Sequence, residues 1–129
     1  MVNEGEDRLT RGRKMRERIM GAGLLPGTPA TQELAPFFSQ WIYESVFGDL
    51  YTRPKLDLKT RVMLTVVALS VGGRIAQLRG YIGAALRLGW TREEIVEAIV
   101  QLAPYQGVPM THDALAVAKE VFDSKASHP

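Results

Sequence analysis

Apolar residues recur at intervals of three and four along nearly the whole chain, and no segment alternates with the two-residue period of a strand. The spacing predicts a first helix from about Arg8 to Met20, ended by Gly21 and Gly23 where the chain enters the turn-rich stretch GAGLLPGTPA. A second helix follows Thr31, with Phe38, Trp41, Ile42 and Ser45 at i, i+3, i+4 and i+7. Pro36 delays its hydrogen-bonded turns, and it stops near Gly48. Asp57 is placed to N-cap a third helix, in which Val62, Met63, Leu64, Val66, Val67, Leu69 and Val71 cover the whole circumference and predict burial all round. Gly72 and Gly73 end it. A fourth helix occupies GRIAQLRGYIGAAL, residues 73–86, and closes at Gly89. Thr91 and Glu94 form a capping box opening a fifth, whose stripe is Ile95, Ala98, Ile99 and Leu102, with Pro104 at its exit. The sixth presents Leu115, Ala118 and Phe122, with Val117 and Val121 beside them. The pattern therefore predicts an all-α chain of six helices forming one domain, residues 1–129, with a flexible tail from about residue 124.

The fourth helix poses a question of its own. Gly80 and Gly83 flank Tyr81, and an interior glycine costs a helix roughly 1 kcal/mol relative to alanine. With Ala84 they lie within one turn, so they can admit a ligand or a second helix beside the tyrosine. The plainer structural reading is tight helix packing, and glycines alone do not separate a cavity from a contact.

Composition narrows the chemistry. A chain that is 46% hydrophobic and 23% charged fits an ordinary globular domain. It has no cysteine, which removes disulfides, thiolate metal sites and thiol catalysis together. The opening residues carry no apolar segment behind a basic one, and no apolar run reaches the length of a bilayer span, so a soluble cytoplasmic protein with no membrane partner is expected. With 16 Lys and Arg against 14 Asp and Glu, the net charge of +2 does not demand a polyanionic partner. Six basic residues between Arg8 and Arg18 are the best support for a nucleic-acid binder, yet no helix-turn-helix wording accompanies them. The glycine pairs match neither a dinucleotide fingerprint nor a phosphate loop, no Gly-x-Ser-x-Gly elbow occurs, and His112 and His128 are not clustered. The expectation is a reaction with no metal and no organic cofactor.

Three stretches carry a resemblance. GDLYTRPKLDLKTR (residues 48–61), GWTREEI (89–95) and APYQGVP (103–109) are similar to the carboxymuconolactone decarboxylase family, in order and over nearly the whole chain. The first stretch is the most specific and resembles the decarboxylase branch rather than the alkylhydroperoxidase D-like branch. The resemblance implies an all-helical domain assembled as a homo-oligomer, a trimer or hexamer, with active sites near subunit interfaces. In the peroxidase branch a glutamate precedes a Cys-x-x-Cys-x-x-x-His array. The corresponding positions here are Val62, Arg74, Gln77 and Tyr81, so thiol peroxidase chemistry is excluded. The decarboxylase branch keeps the histidine, and Tyr81 stands in its place.

Loss of carbon dioxide from a carboxylated lactone or a β-keto acid leaves an electron pair that a conjugated carbonyl must accept before carbon is protonated. A phenol, with an ordinary pKa of about 10, is protonated at neutral pH, so Tyr81 can donate to an enolate oxygen or deliver the proton. His112 near the start of the sixth helix, where the terminal field favours a neutral ring, is a candidate proton acceptor, and Glu44 is placed to orient it or the substrate. Arg74 and Arg79 are candidate carboxylate partners, and Arg53 offers a bidentate fork. Tyr105 and Gln106 belong to the loop between Pro104 and Pro109, where binding residues often sit. Each also has a structural reading: Arg53 and Arg61 bridging helices, Glu44 on a solvated face, Tyr105 and Gln106 packing the last two helices. The functional readings are a decarboxylase, a cyclase or isomerase on the same scaffold that releases no carbon dioxide, and a non-catalytic binding protein.

Overall fold

Asp7 accepts a hydrogen bond from the Thr10 amide at 2.7 Å and so caps α1, Arg8–Met20, whose other end is Gly21 at φ 87°, donating its N–H to the Glu17 carbonyl. A computed structural model describes residues 5–22 and 28–127 of the chain. Gly23, expected to help end the first helix, and His128 lie outside the described residues. The described residues are mostly helical, with no strand among them, and gather into two compact units divided between Leu58 and Lys59.

In the first unit the expected second helix is divided. Thr28 and Thr31 cap each other reciprocally and start α2, Pro29–Leu34. Ala35 then leaves helical geometry (φ −145°, ψ 68°), because the ring of Pro36 disfavours the α conformation in the residue before it. α3, Pro36–Trp41, restarts the chain and passes without a break into a π-helix, Ile42–Leu50, whose wider turn carries it beyond Gly48 to the bond from the Tyr51 amide to the Val46 carbonyl. α1 packs on this π-helix at backbone distance. Gly12 and Gly48 are both buried, and a Cβ on Gly12 would run into the Tyr43 carbonyl. Ile19, Phe47 and Tyr51 are buried, the two rings stacked at 5.4 Å between centroids.

The second unit takes in α4, Leu58–Val71, from its second residue, then α5, Ile75–Arg87, α6, Arg92–Gln101, α7, Ala103–Gln106, and α8, Val108–Ser127. α8 lies against α5, α6 and α7. The core comprises Val62, Val66, Leu78, Ile82, Ile95, Ile99, Ala114 and Ala118. Thr91 accepts from the Glu94 amide and Glu94 from the Thr91 amide, so the capping box forms as expected. Pro104 does more than close α6: it starts the single turn α7, ended by Gly107 at φ 94°. α8 continues to Ser127, past the point where the tail was expected to leave the helix.

The expectation that the third helix is buried all round is corrected. Only Val62, Val66 and Ser70 of α4 are fully enclosed, whereas Leu64, Ala68 and Val71 form an outward row with Leu64 and Val71 each just over half exposed. An apolar circumference needs neighbours on every side, and a single chain supplies them on one. The Trp90 indole donates to the Lys59 carbonyl at 2.8 Å, and the Lys59 ammonium lies 4.4 Å from its ring centroid, which fixes the start of α4 to the turn before α6. No helix among the described residues is long and apolar enough to cross a membrane.

Candidate functional site

In the second unit the candidates centre on α5. Its buried residues are Leu78, Ile82, Ala84 and Ala85, so Ala84, expected to help make room beside Tyr81, packs within the chain instead. Arg74 occupies the N-cap position, exposed and making no side-chain capping bond, and Tyr81 follows seven residues later, two turns along the same face and half-buried. A Cβ added at Gly83 meets nothing within 4 Å, so this glycine is not needed for helix packing within the chain. Gly80 is exposed as well. Gly83, two residues after Tyr81, points to nearly the opposite side of the helix, so its open space lies away from the tyrosine.

The remaining candidates in this unit separate. Arg79 is engaged by Glu120 of α8 at 2.8 Å. His112 is exposed and is the fifth residue of α8, one turn beyond the end groups where a terminal field is concentrated. Tyr105 is 80% exposed. Gln106, its neighbour, holds the structure together: its Oε1 accepts from the Ser70 hydroxyl at 2.8 Å and its amide donates to Thr111 Oγ1 at 3.1 Å. Thr111 in turn donates to the Gly107 carbonyl at 2.9 Å. Both ends of the Gln106 amide thus have protein partners that tie α4 to α8. Ser70 and Thr111 were missed from sequence. The available signal was Ser70 inside the apolar run Val66–Val71, since a buried hydroxyl needs a partner; Thr111 carried no such signal.

The first unit holds Glu44 and Arg53. Glu44, on the π-helix and half-buried, lies 3.6 Å from Arg8, and that guanidinium forks onto Asp49 at 2.7 and 3.1 Å. Arg11 adds a bond to Asp49 at 3.1 Å and one to the Gly48 carbonyl at 2.7 Å. The Arg8 hydrogen bond, reinforced by Arg11, holds the Asp49 carboxyl below the usual range. Glu44 therefore has Arg8 as its charged partner, and His112 belongs to the other unit. Arg53 lines a cleft of about 640 Å³ between α1 and the segment from Tyr51 to Leu58. This segment lies within the GDLYTRPKLDLKTR stretch singled out in the sequence.

The basic side chains of α1 are largely engaged inside the unit. Arg8 and Arg11 meet Asp49, Lys14 meets Glu6 at 2.6 Å, and Arg13 and Arg16 lie over the rings of Tyr43 and Phe47 at 5.6 and 5.9 Å. Among the described residues no three His, Cys, Asp or Glu side chains converge as a metal site.

Comparison with known proteins gives a consistent pattern. The profile described as the carboxymuconolactone decarboxylase family matches residues 36–120. The chain is 38% identical over 95 residues to an uncharacterized 15.0 kDa protein from the nqo9–nqo10 intergenic region of Paracoccus denitrificans, covering 72% of this chain and 71% of that one. It is 29% identical over 120 residues to a 4-carboxymuconolactone decarboxylase of Acinetobacter baylyi, covering 91% and 88%. A nitrosuccinic acid decarboxylase of Metarhizium robertsii is 29% identical over 118 residues, covering 87% and 79%.

Proposed function

Because the chain belongs to the carboxymuconolactone decarboxylase family, we propose that it is a decarboxylase that needs no cofactor and acts on a small carboxylated lactone or β-keto acid. The observation that carries this reading is that both relatives with a named activity, from a bacterium and a fungus, are decarboxylases and align over most of the chain. Their names specify different acids, so the common element is the reaction.

The α5 face is suited to that reaction. Breaking the bond to the carboxylate leaves its electron pair on carbon, delocalised onto the neighbouring carbonyl oxygen. The Tyr81 hydroxyl donates a hydrogen bond to that oxygen, and one proton, from the phenol or from water, replaces carbon dioxide on carbon. Arg74, two turns earlier on the same face, is exposed and placed to hold a carboxylate. The reading includes a homo-oligomer, trimer or hexamer, covering the outward row of α4. It includes no nucleic-acid partner, since five of the six basic side chains of α1 are engaged within their own unit.

The test is incubation of the purified protein with γ-carboxymuconolactone and then with a set of β-keto acids, trapping carbon dioxide. One equivalent released per substrate consumed is expected. Consumption without carbon dioxide would replace this reading by the cyclase or isomerase one.

A further inference from the structure

The first unit contains a cleft that the reaction proposed on α5 does not use. One wall is a single stripe of α1, with Arg11, Lys14, Met15 and Arg18 at i, i+3, i+4 and i+7, and the other is the segment carrying Arg53, Pro54 and Leu56. At about 640 Å³ it falls within the roughly 300–1,000 Å³ usual for small-molecule sites.

The charges in the cleft are unequal. Arg11 is neutralised by Asp49, and Lys14 by Glu6 at 2.6 Å. Arg18, in the last turn of α1, has no acidic partner among the described residues and faces the same space as Arg53. Met15, Pro54 and Leu56 supply apolar lining between these cations. Glu6 and Asp57 also line the cleft and would repel a polyanion. A single negative charge on an apolar body matches this arrangement, and a phosphate chain or nucleic acid does not.

We infer that this cleft binds a small organic monocarboxylate, its carboxylate held by Arg18 and Arg53 and its apolar body on Met15 and Leu56. The inference stands apart from the decarboxylase reading, because binding is measured with a molecule that does not react. The probe is phenylacetate, with phenylacetamide as its uncharged counterpart of the same shape, each titrated into the isotope-labelled full chain and followed by amide chemical shifts. Saturable shifts centred on residues 11–18 and 51–57 are expected for phenylacetate. Arg18→Gln, at an exposed position where folding is retained, is expected to weaken phenylacetate about tenfold and to leave phenylacetamide unchanged. Arg53→Gln provides an independent second variant with the same expectation. Equal binding of acid and amide, shifts centred elsewhere, no saturable shift at millimolar probe, or full affinity in both variants would each overturn the inference.

Discussion

Gly12 and Gly83 are both helical glycines, and opposite outcomes are expected when each becomes alanine. A Cβ at Gly12 collides with the Tyr43 carbonyl where α1 meets the π-helix, so Gly12→Ala must force two backbones apart. Overpacking of this kind costs about 1–3 kcal/mol. Gly83 has open space around it, and Gly83→Ala is expected to stabilise the isolated chain by up to about 1 kcal/mol through helix propensity alone. Denaturant unfolding of both variants checks the pair, and a Gly83 variant that is no more stable would contradict the description of α5. If it is more stable yet less active, the space outside Gly83 is used by a substrate or a second copy. Sequence marked Gly80 and Gly83 as unusual and passed over Gly12, because an interior glycine signals a cost without saying whether backbone or solvent lies beside it. Gln106 was similarly visible as a polar residue in a candidate binding loop, but its bonds to Ser70 and Thr111 depend on three elements meeting.

At the scale of elements, the caps were legible and the interruptions were not. The Thr91 and Glu94 box could be read because its chemistry is local. Thr91→Ala is expected to cost about 1 kcal/mol in thermal or chemical unfolding. The pH dependence follows from the partner residue. Hydrogen bonding to Thr91, chiefly to its amide, holds the Glu94 carboxyl below the ordinary glutamate value of 4.5. A lowered folded-state value means the stabilisation is complete above 4.5 and is lost as pH falls through the folded value. Asp49, lowered by Arg8, adds to the same acid limb. Glu94→Gln keeps the capping geometry without the titration, so its stability is expected to change less than that of the wild type below pH 4.5 and equally between pH 6 and 8, measured by unfolding across that range. The break at Ala35 and the π-helix escaped a reading based on a 3.6-residue period, which cannot register a wider turn. The all-round apolar pattern of α4 was read as burial on every side, which the chain does not provide. It encloses one side of the helix only.

At the scale of the molecule, that uncovered apolar side is the physical basis for expecting assembly. Leu64, Ala68 and Val71 form one exposed row on α4, and Phe37, 73% exposed, and Trp41 are accessible on α3. We expect a homo-oligomer by light scattering, and Leu64→Glu is expected to shift it toward monomer by placing a charge on the row. A wild type that stays monomeric at micromolar concentration would contradict the assembly. The all-helical class and the family were legible in the sequence, whereas the cleft beside the GDLYTRPKLDLKTR stretch was not. The allocation of candidates between two units was not: Tyr81, Arg74, His112, Tyr105 and Gln106 fall in one, Glu44 and Arg53 in the other. Spacing along a chain carries no information on such a division.

The proposed role of the Tyr81 hydroxyl in decarboxylation is open to a single comparison. Its most direct test compares carbon dioxide release from γ-carboxymuconolactone, or from the first β-keto acid found to react, by the wild type and by Tyr81→Phe, which removes only the hydroxyl. Release by the wild type is expected, with a fall of at least about a hundredfold in kcat for the variant and KM little changed. Release by the variant within a factor of a few, or none by a correctly assembled wild type from any member of the set, would contradict it.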